Sequence, residues 1–186
     1  DLVVKPLYGP KDADGKKGAT KVYAYHMPKD PSQPWKRTLI SHMIEDSHNF
    51  HPIDWDRDGR EEFLQASLKG VYWFGRDKSG KWKYMQFSQN YCGEVRDGKT
   101  KLGKRFFTTI EPKHGTTVAV YLQTRFQFWQ RRVLDDTLKD GHALAVGDFL
   151  GTGGDQIVAG WRGMTTPGVP GVRLYVPQDN LYTKWK

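Results

Sequence analysis

Asn49-Phe-His-Pro-Ile-Asp-Trp-Asp-Arg-Asp-Gly-Arg-Glu-Glu-Phe-Leu-Gln-Ala-Ser-Leu-Lys-Gly-Val-Tyr-Trp-Phe-Gly-Arg-Asp-Lys-Ser-Gly-Lys-Trp-Lys-Tyr-Met-Gln-Phe87 reads as four short strands in a row. They run roughly over 49–55, 62–67, 70–76 and 82–87. Each is rich in Val, Ile and aromatic residues, and Asp-Gly, Lys-Gly and Ser-Gly pairs punctuate the gaps, the chemistry of tight antiparallel turns. No stretch of helical period competes with them.

The unit repeats. Trp35, Trp82 and Trp129 each open a similar segment (WKRTLI, WKYMQF, WQRRVL), 47 residues apart. His48 and Asp54 recur 94 residues on, two periods later, as His142 and Asp148. An alternating strand recurs four times: Lys21-Val-Tyr-Ala-Tyr25, Gly70-Val-Tyr-Trp-Phe74, Thr117-Val-Ala-Val-Tyr121 and Gly171-Val-Arg-Leu-Tyr175. Four strands per period of 40 to 50 residues is the mark of a β-propeller blade. The expected fold is all-β, with four-stranded antiparallel blades. The blades do not repeat the Gly-His and Trp-Asp signatures of WD40 units, and a β-sandwich, the alternative fold, needs no such period.

The chain is expected to form a single partial domain over 1–186, with blades at roughly 1–40, 41–88, 89–135 and 136–186. Asp1-Leu-Val-Val4 aligns with Glu62-Phe-Leu-Gln65 and Gln156-Ile-Val-Ala159, so the first blade starts at its second strand. About three and a half blades result. A propeller closes with at least four, so further blades from elsewhere are expected to complete the ring.

Between the first and second strands of the best unit lies Asp54-Trp-Asp56-Arg-Asp58-Gly59-Arg-Glu61-Glu62. Three carboxylates at alternating positions converge on one cation if Gly59 turns the chain sharply, and a later acid, Glu62, closes the sphere. Calcium takes six to eight such oxygens. Calcium or another hard divalent cation is therefore expected at Asp54, Asp56, Asp58 and Glu62, in a structural role. In the matching loop, Asp148 to Asp155, Leu150 and Thr152 replace the second and third acids, and no metal is expected.

Blade geometry sorts residues by face. The first-to-second loop lies on one face; the second-to-third loop, and the chain leading into the first strand, lie on the other. His48 and His142 stand at starts of first strands. His114, Arg162 and Tyr8 fall in second-to-third positions. Five chemically able side chains are thus expected on one rim, with Glu111 close enough in sequence to orient His114. Imidazole suits proton transfer near neutrality, and three neutral imidazoles suit zinc or a similar ion. Both roles remain open for these histidines.

DWDRDGREEF, followed by the Gly-Val-aromatic and Trp strands, resembles the FG-GAP/VCBS repeat of β-propeller proteins. TIEPKHGTTVAVY, WQRRVLDD and GHALAVGDFLGTGGDQIVAGWRG, in that order, resemble the propeller domain of the fungal aldos-2-ulose dehydratases and their bacterial relatives, over about Val3 to Val176. The resemblance implies a seven-bladed propeller and a carbon–oxygen lyase acting on a sugar at the channel. Such β-elimination needs a base beside a carbonyl, positive charge at the enolate and an acid for the leaving oxygen. His48, His114, His142, Glu111, Arg162 and Tyr8 are the candidate catalytic residues. The substrate class expected is a ketosugar or a uronate-containing sugar.

The formal net charge of +8 fits an anionic carbohydrate partner. Lysines such as Lys78, Lys81, Lys101 and Lys104 are scattered, which argues against a nucleic-acid face. No apolar run is long enough for a membrane helix. The single cysteine, Cys92, excludes an internal disulfide framework. Asp1 to Tyr8 carries no signal-peptide pattern, and a secreted or periplasmic location is favoured for the mature chain. The competing function is a non-catalytic, calcium-stabilised propeller that binds a glycan or protein.

Overall fold

The computed structural model describes residues 2–11, 13–15, 18–126, 128–163 and 168–186. Fourteen strands and no helix form among the described residues. They make four antiparallel sheets. Sheet I holds β1 (Leu2–Val4), β2 (Thr20–His26) and β3 (Lys36–Ile44). Sheet II holds β4 (Ser47–Ile53), β5 (Glu62–Ser67), β6 (Gly70–Arg76) and β7 (Trp82–Gln86). Sheet III holds β8 (Glu94–Lys99), β9 (Arg105–Glu111), β10 (Thr117–Gln123) and β11 (Trp129–Asp135). Sheet IV holds β12 (Gly141–Gly147), β13 (Gln156–Trp161) and β14 (Gly171–Tyr175). Of the aligned tetrapeptide at the start of the chain, Asp1 lies outside the described residues and the rest is β1.

Strands pair with their sequence neighbours, so short turns decide the topology. The β5–β6 hairpin turns on Gly70, whose φ of 103° a side chain rarely adopts. A Cβ there would also meet the Ser88 carbonyl.

Successive sheets stack face to face with apolar side chains between them. Val22 and Ile44 of sheet I meet Phe63 and Phe74 of sheet II. Leu64, Ala66 and Val71 of sheet II meet Val95, Phe107 and Tyr121 of sheet III. Phe106, Ile110 and Val120 of sheet III meet Leu144, Ile157 and Ala159 of sheet IV. Because side chains alternate along a strand, the adjacent pair Phe106-Phe107 serves two different interfaces. Covering on both faces buries the central strands along nearly their whole length, polar residues included; β9 is buried from Phe106 to Glu111, with Thr108, Thr109 and Glu111 among the apolar side chains.

The repeated tryptophans begin the outer strands. Trp129 packs edge-on against Phe107 at 4.9 Å and Trp55 at 5.8 Å, bridging sheets II and III. Trp82 lies 6.0 Å from Phe63.

The last unit, expected to have four strands, shows three among the described residues. Beyond β14 the chain makes an isolated bridge, Pro177 with Trp185. Tyr182 there is fully buried and packs on Phe106 at 5.5 Å, and Asp179 ties the turn by accepting the Leu181 and Thr183 amides. The segment packs into the apolar cluster shared by sheets III and IV.

β4, β8 and β12 are the inner strands, each adjacent to the next. The Asn49 amide donates to the Gly93 carbonyl at 3.1 Å, and the Gly141 amide to that of Gly115 at 2.8 Å. These contacts bring the starts of β4, β8 and β12 together, which is what positions the site.

Candidate metal centre

His48 comes from β4, His142 from β12, and His114 from the loop between β9 and β10. Although 94 residues separate the first from the last, their rings meet edge to face, with centroids 4.8 Å (48–114), 5.7 Å (48–142) and 4.5 Å (114–142) apart. One ring nitrogen from each lies within 4.8 Å of those of the other two. The group can hold a metal ion, as three imidazoles with an open side do for a transition metal.

The hydrogen bonds assign the protons. His48 Nδ1 sits 2.8 Å from the Gly93 carbonyl, an acceptor, so Nδ1 donates and Nε2 carries a lone pair. That Nε2 is 3.0 Å from His114 Nε2, which must then donate. His114 Nδ1 is left as an acceptor facing Arg162 Nη2 at 3.5 Å. The same Arg162 nitrogen pairs with the buried Asp140 at 3.2 Å. Burial first, and the neighbouring His48, His142 and Arg162 next, hold the His114 pKa below the usual imidazole range. A neutral ring is the form a cation binds.

The other expected residues divide. Arg162 is at the site. Tyr8 is on the same rim: its phenol oxygen accepts Lys113 Nζ at 2.9 Å and the ammonium lies 4.6 Å from its ring centre. Lys113 also reaches Asp46 at 2.6 Å, and Tyr91 donates to Asp46 at 2.9 Å. Lys5, which donates to the His48 carbonyl, completes this basic edge. Burial, then the charge of Lys113, pushes the Lys5 pKa down to about 8. Glu111, expected behind His114, faces elsewhere. Its carboxylate accepts Thr109 Oγ1 at 2.7 Å, Tyr121 OH at 2.6 Å, and Arg131 at 2.9 and 2.7 Å. Strand alternation turns it into the sheet, where an arginine on β11 neutralises it.

Sequence reading passed over Glu94, Asp140, Lys5 and Lys113. One signal for Glu94 was available: Ser47-His48, Gly93-Glu94 and Gly141-His142 open three successive inner strands.

The Asp54–Glu61 loop joins β4 to β5. Asp54, Asp56 and Asp58 converge, with carboxylate oxygens within 4.8 Å of one another, and can hold a metal ion. Arg57 (φ 63°) and Gly59 (φ 83°) supply the left-handed turns that allow it. Asp54 accepts the Asp58 and Gly59 amides at 3.0 and 3.1 Å. Arg60 holds the Asp58 carboxyl below its usual pKa range, chiefly by hydrogen bonding. Glu62, expected to close the sphere, does not join that group: its Oε2 accepts the Trp55 amide at 2.7 Å beneath the loop. Desolvation raises its pKa. The second loop keeps the same frame. Asp148 accepts the Thr152 and Gly153 amides at 2.7 and 2.8 Å, and Gln156 accepts the Leu150 amide at 2.9 Å.

A cavity of about 530 Å³ opens between sheets I and II, lined by Leu2, Phe50, Phe63, Arg76 and Trp82 among others. No imidazole of the cluster lines it, so it is separate from the metal centre.

No protein-family model matches the chain, and no curated protein matches it significantly.

Proposed function

We propose that the chain is part of a β-propeller built of FG-GAP-like blades, with a zinc-like divalent cation bound by His48, His114 and His142, and that it acts as a carbon–oxygen lyase on a ketosugar or uronate-containing sugar. The observation that carries this reading is the convergence of the three imidazoles beside Arg162. A binding module needs aromatics and amides; it has no use for three imidazoles and a guanidinium at one point.

The four sheets, with adjacent inner strands and the 47-residue period, support the propeller. When bound, the cation supplies positive charge that lowers the cost of an enolate. The residues of the chain do the rest. Arg162, whose Nη2 lies between His114 and Asp140, binds a substrate oxyanion or carboxylate. Tyr8, whose phenol oxygen accepts Lys113 Nζ at 2.9 Å, relays the proton from the carbon beside the carbonyl to the leaving oxygen. With a cation held by His48, His114 and His142, the His114 proton would lie on Nδ1 and Arg162 would pair with Asp140 alone. The Asp54–Asp56–Asp58 loop holds calcium in a structural role.

The test is incubation of the zinc-loaded chain with ketosugars and uronate oligosaccharides, following the ultraviolet absorbance of the unsaturated product. His114→Ala should cost on the order of 10²–10⁴ in rate, the usual worth of a positioned group. Unchanged activity in both His48→Ala and His114→Ala would leave the second reading, a calcium-stabilised propeller that binds glycan or protein, which the aspartate loop favours.

A further inference from the structure

Glu94 opens β8 at the slot that His48 fills in β4 and His142 in β12. It is 1% exposed. Asn49 Nδ2 donates to both carboxylate oxygens, at 2.6 and 2.7 Å, which fixes the group's orientation. Oε1 lies 3.5 Å from His48 Nδ1 and 4.0 Å from His142 Nδ1. His142 Nδ1 is itself buried and makes no hydrogen bond at that separation.

Two costs are visible here. A buried ring nitrogen without a partner is unfavourable. So is a buried carboxylate with a distant counter-charge; Arg96 Nη2 reaches it only at 3.9 Å. A small rotation of His142 towards Glu94 would relieve the first in the metal-free chain, and a cation held by the imidazoles would relieve the second. Metal-bound imidazoles commonly donate their second nitrogen to a carboxylate, which fixes the tautomer and strengthens the ligand.

We propose that Glu94 is the positioning residue of the metal centre. It takes the Nδ1–H of His142 and shares that of His48 with the Gly93 carbonyl. Both rings then present Nε2 lone pairs to the cation. This rests on the three-histidine metal reading. His114 is outside its reach and is governed by Arg162.

The experiment has two arms. In the first, the ¹⁵N shifts of the imidazoles are recorded on the full metal-free chain at alkaline pH, where the rings are neutral. His48 and His142 should both show the Nδ1–H tautomer. In Glu94→Gln, His142 should become a mixture while His48 stays with Gly93. A dominant Nε2–H tautomer for His142 in the unaltered chain overturns the proposal without any variant. In the second arm, zinc affinity is measured by competition with a chromogenic chelator. Glu94→Gln should weaken binding by about 10–100-fold, and Glu94→Asp should recover part of it. Equal affinity in wild type and Glu94→Gln overturns the positioning role. Absence of zinc uptake by the wild type overturns the metal reading instead, and the tautomer arm then decides Glu94 by itself.

Discussion

His48 Nε2 and His114 Nε2 face each other at 3.0 Å, one ring held by β4 of sheet II and the other by the β9–β10 loop of sheet III. Two nitrogens that close share either a proton or a cation. In the metal-free protein it is a proton, because His48 Nδ1–H is committed to Gly93 and His114 Nδ1 faces Arg162.

Cation binding therefore competes with the Arg162 contact. Arg162→Lys keeps a charge for Asp140 but removes the planar donor at His114 Nδ1. Zinc affinity should rise severalfold in this variant while the elimination rate falls. A parallel loss of both would show that Arg162 supports the metal rather than opposing it.

Zinc should also stabilise the fold. At a hundredfold excess over Kd the gain is about 2.7 kcal/mol, seen as a rise in melting temperature. His114→Ala should abolish the rise and leave the metal-free melt nearly unchanged, since the side chain sits on a loop and outside the apolar clusters. A rise of equal size in the variant would place the ion elsewhere.

The aspartate loop gives a cleaner contrast. Exhaustive chelation should lower the melting temperature, and Asp56→Ala should remove the sensitivity. Glu62→Gln should keep it, with stability changed by about 0.5 kcal/mol or less. Gln156 already performs the same amide capture in the second loop, at 2.9 Å from the Leu150 nitrogen. Loss of calcium sensitivity in Glu62→Gln would make Glu62 a ligand after all.

Glu111 should prove structural. Its removal strands Arg131, Tyr121 and Thr109 inside sheet III. Glu111→Gln is expected to cost about 1–3 kcal/mol in denaturant unfolding and to leave zinc affinity as it was. A changed affinity with unchanged stability would return it to the site.

Lys5 carries the pH signature. Its folded pKa is about 8 against 10.5 for the free amine. Between those values the unfolded chain binds a proton that the folded chain has released, so stability rises with pH across that window. Below about 8 the penalty is at its full value. The melting temperature of the wild type should climb relative to Lys5→Met between pH 8 and 10.5; parallel curves would sink the assignment.

The four strands of the best unit, the 47-residue period and the aspartate loop were all legible in the sequence because each is local. Strand alternation, Gly turns and three acids alternating over five residues need no distant partner to be recognised. The joining of His48, His114 and His142 was legible one step further, through the rule that strand starts and second-to-third loops share a face. Glu111 and Glu62 mark where that rule stops. Both lie at the correct end of a strand, yet alternation and a nearby donor, Arg131 for one and the Trp55 amide for the other, turned the carboxylates away.

By itself the sequence determined most of the strands, their order and the three-aspartate loop, since these follow from patterns within one repeat. Only the tertiary structure decided that Gly93 holds His48 Nδ1, that the Glu94 carboxylate lies near His48 and His142, and that Tyr182 is buried against Phe106. Those outcomes depend on separations of a few ångströms between residues from different sheets, and hydrogen bonds and burial are that sensitive to distance.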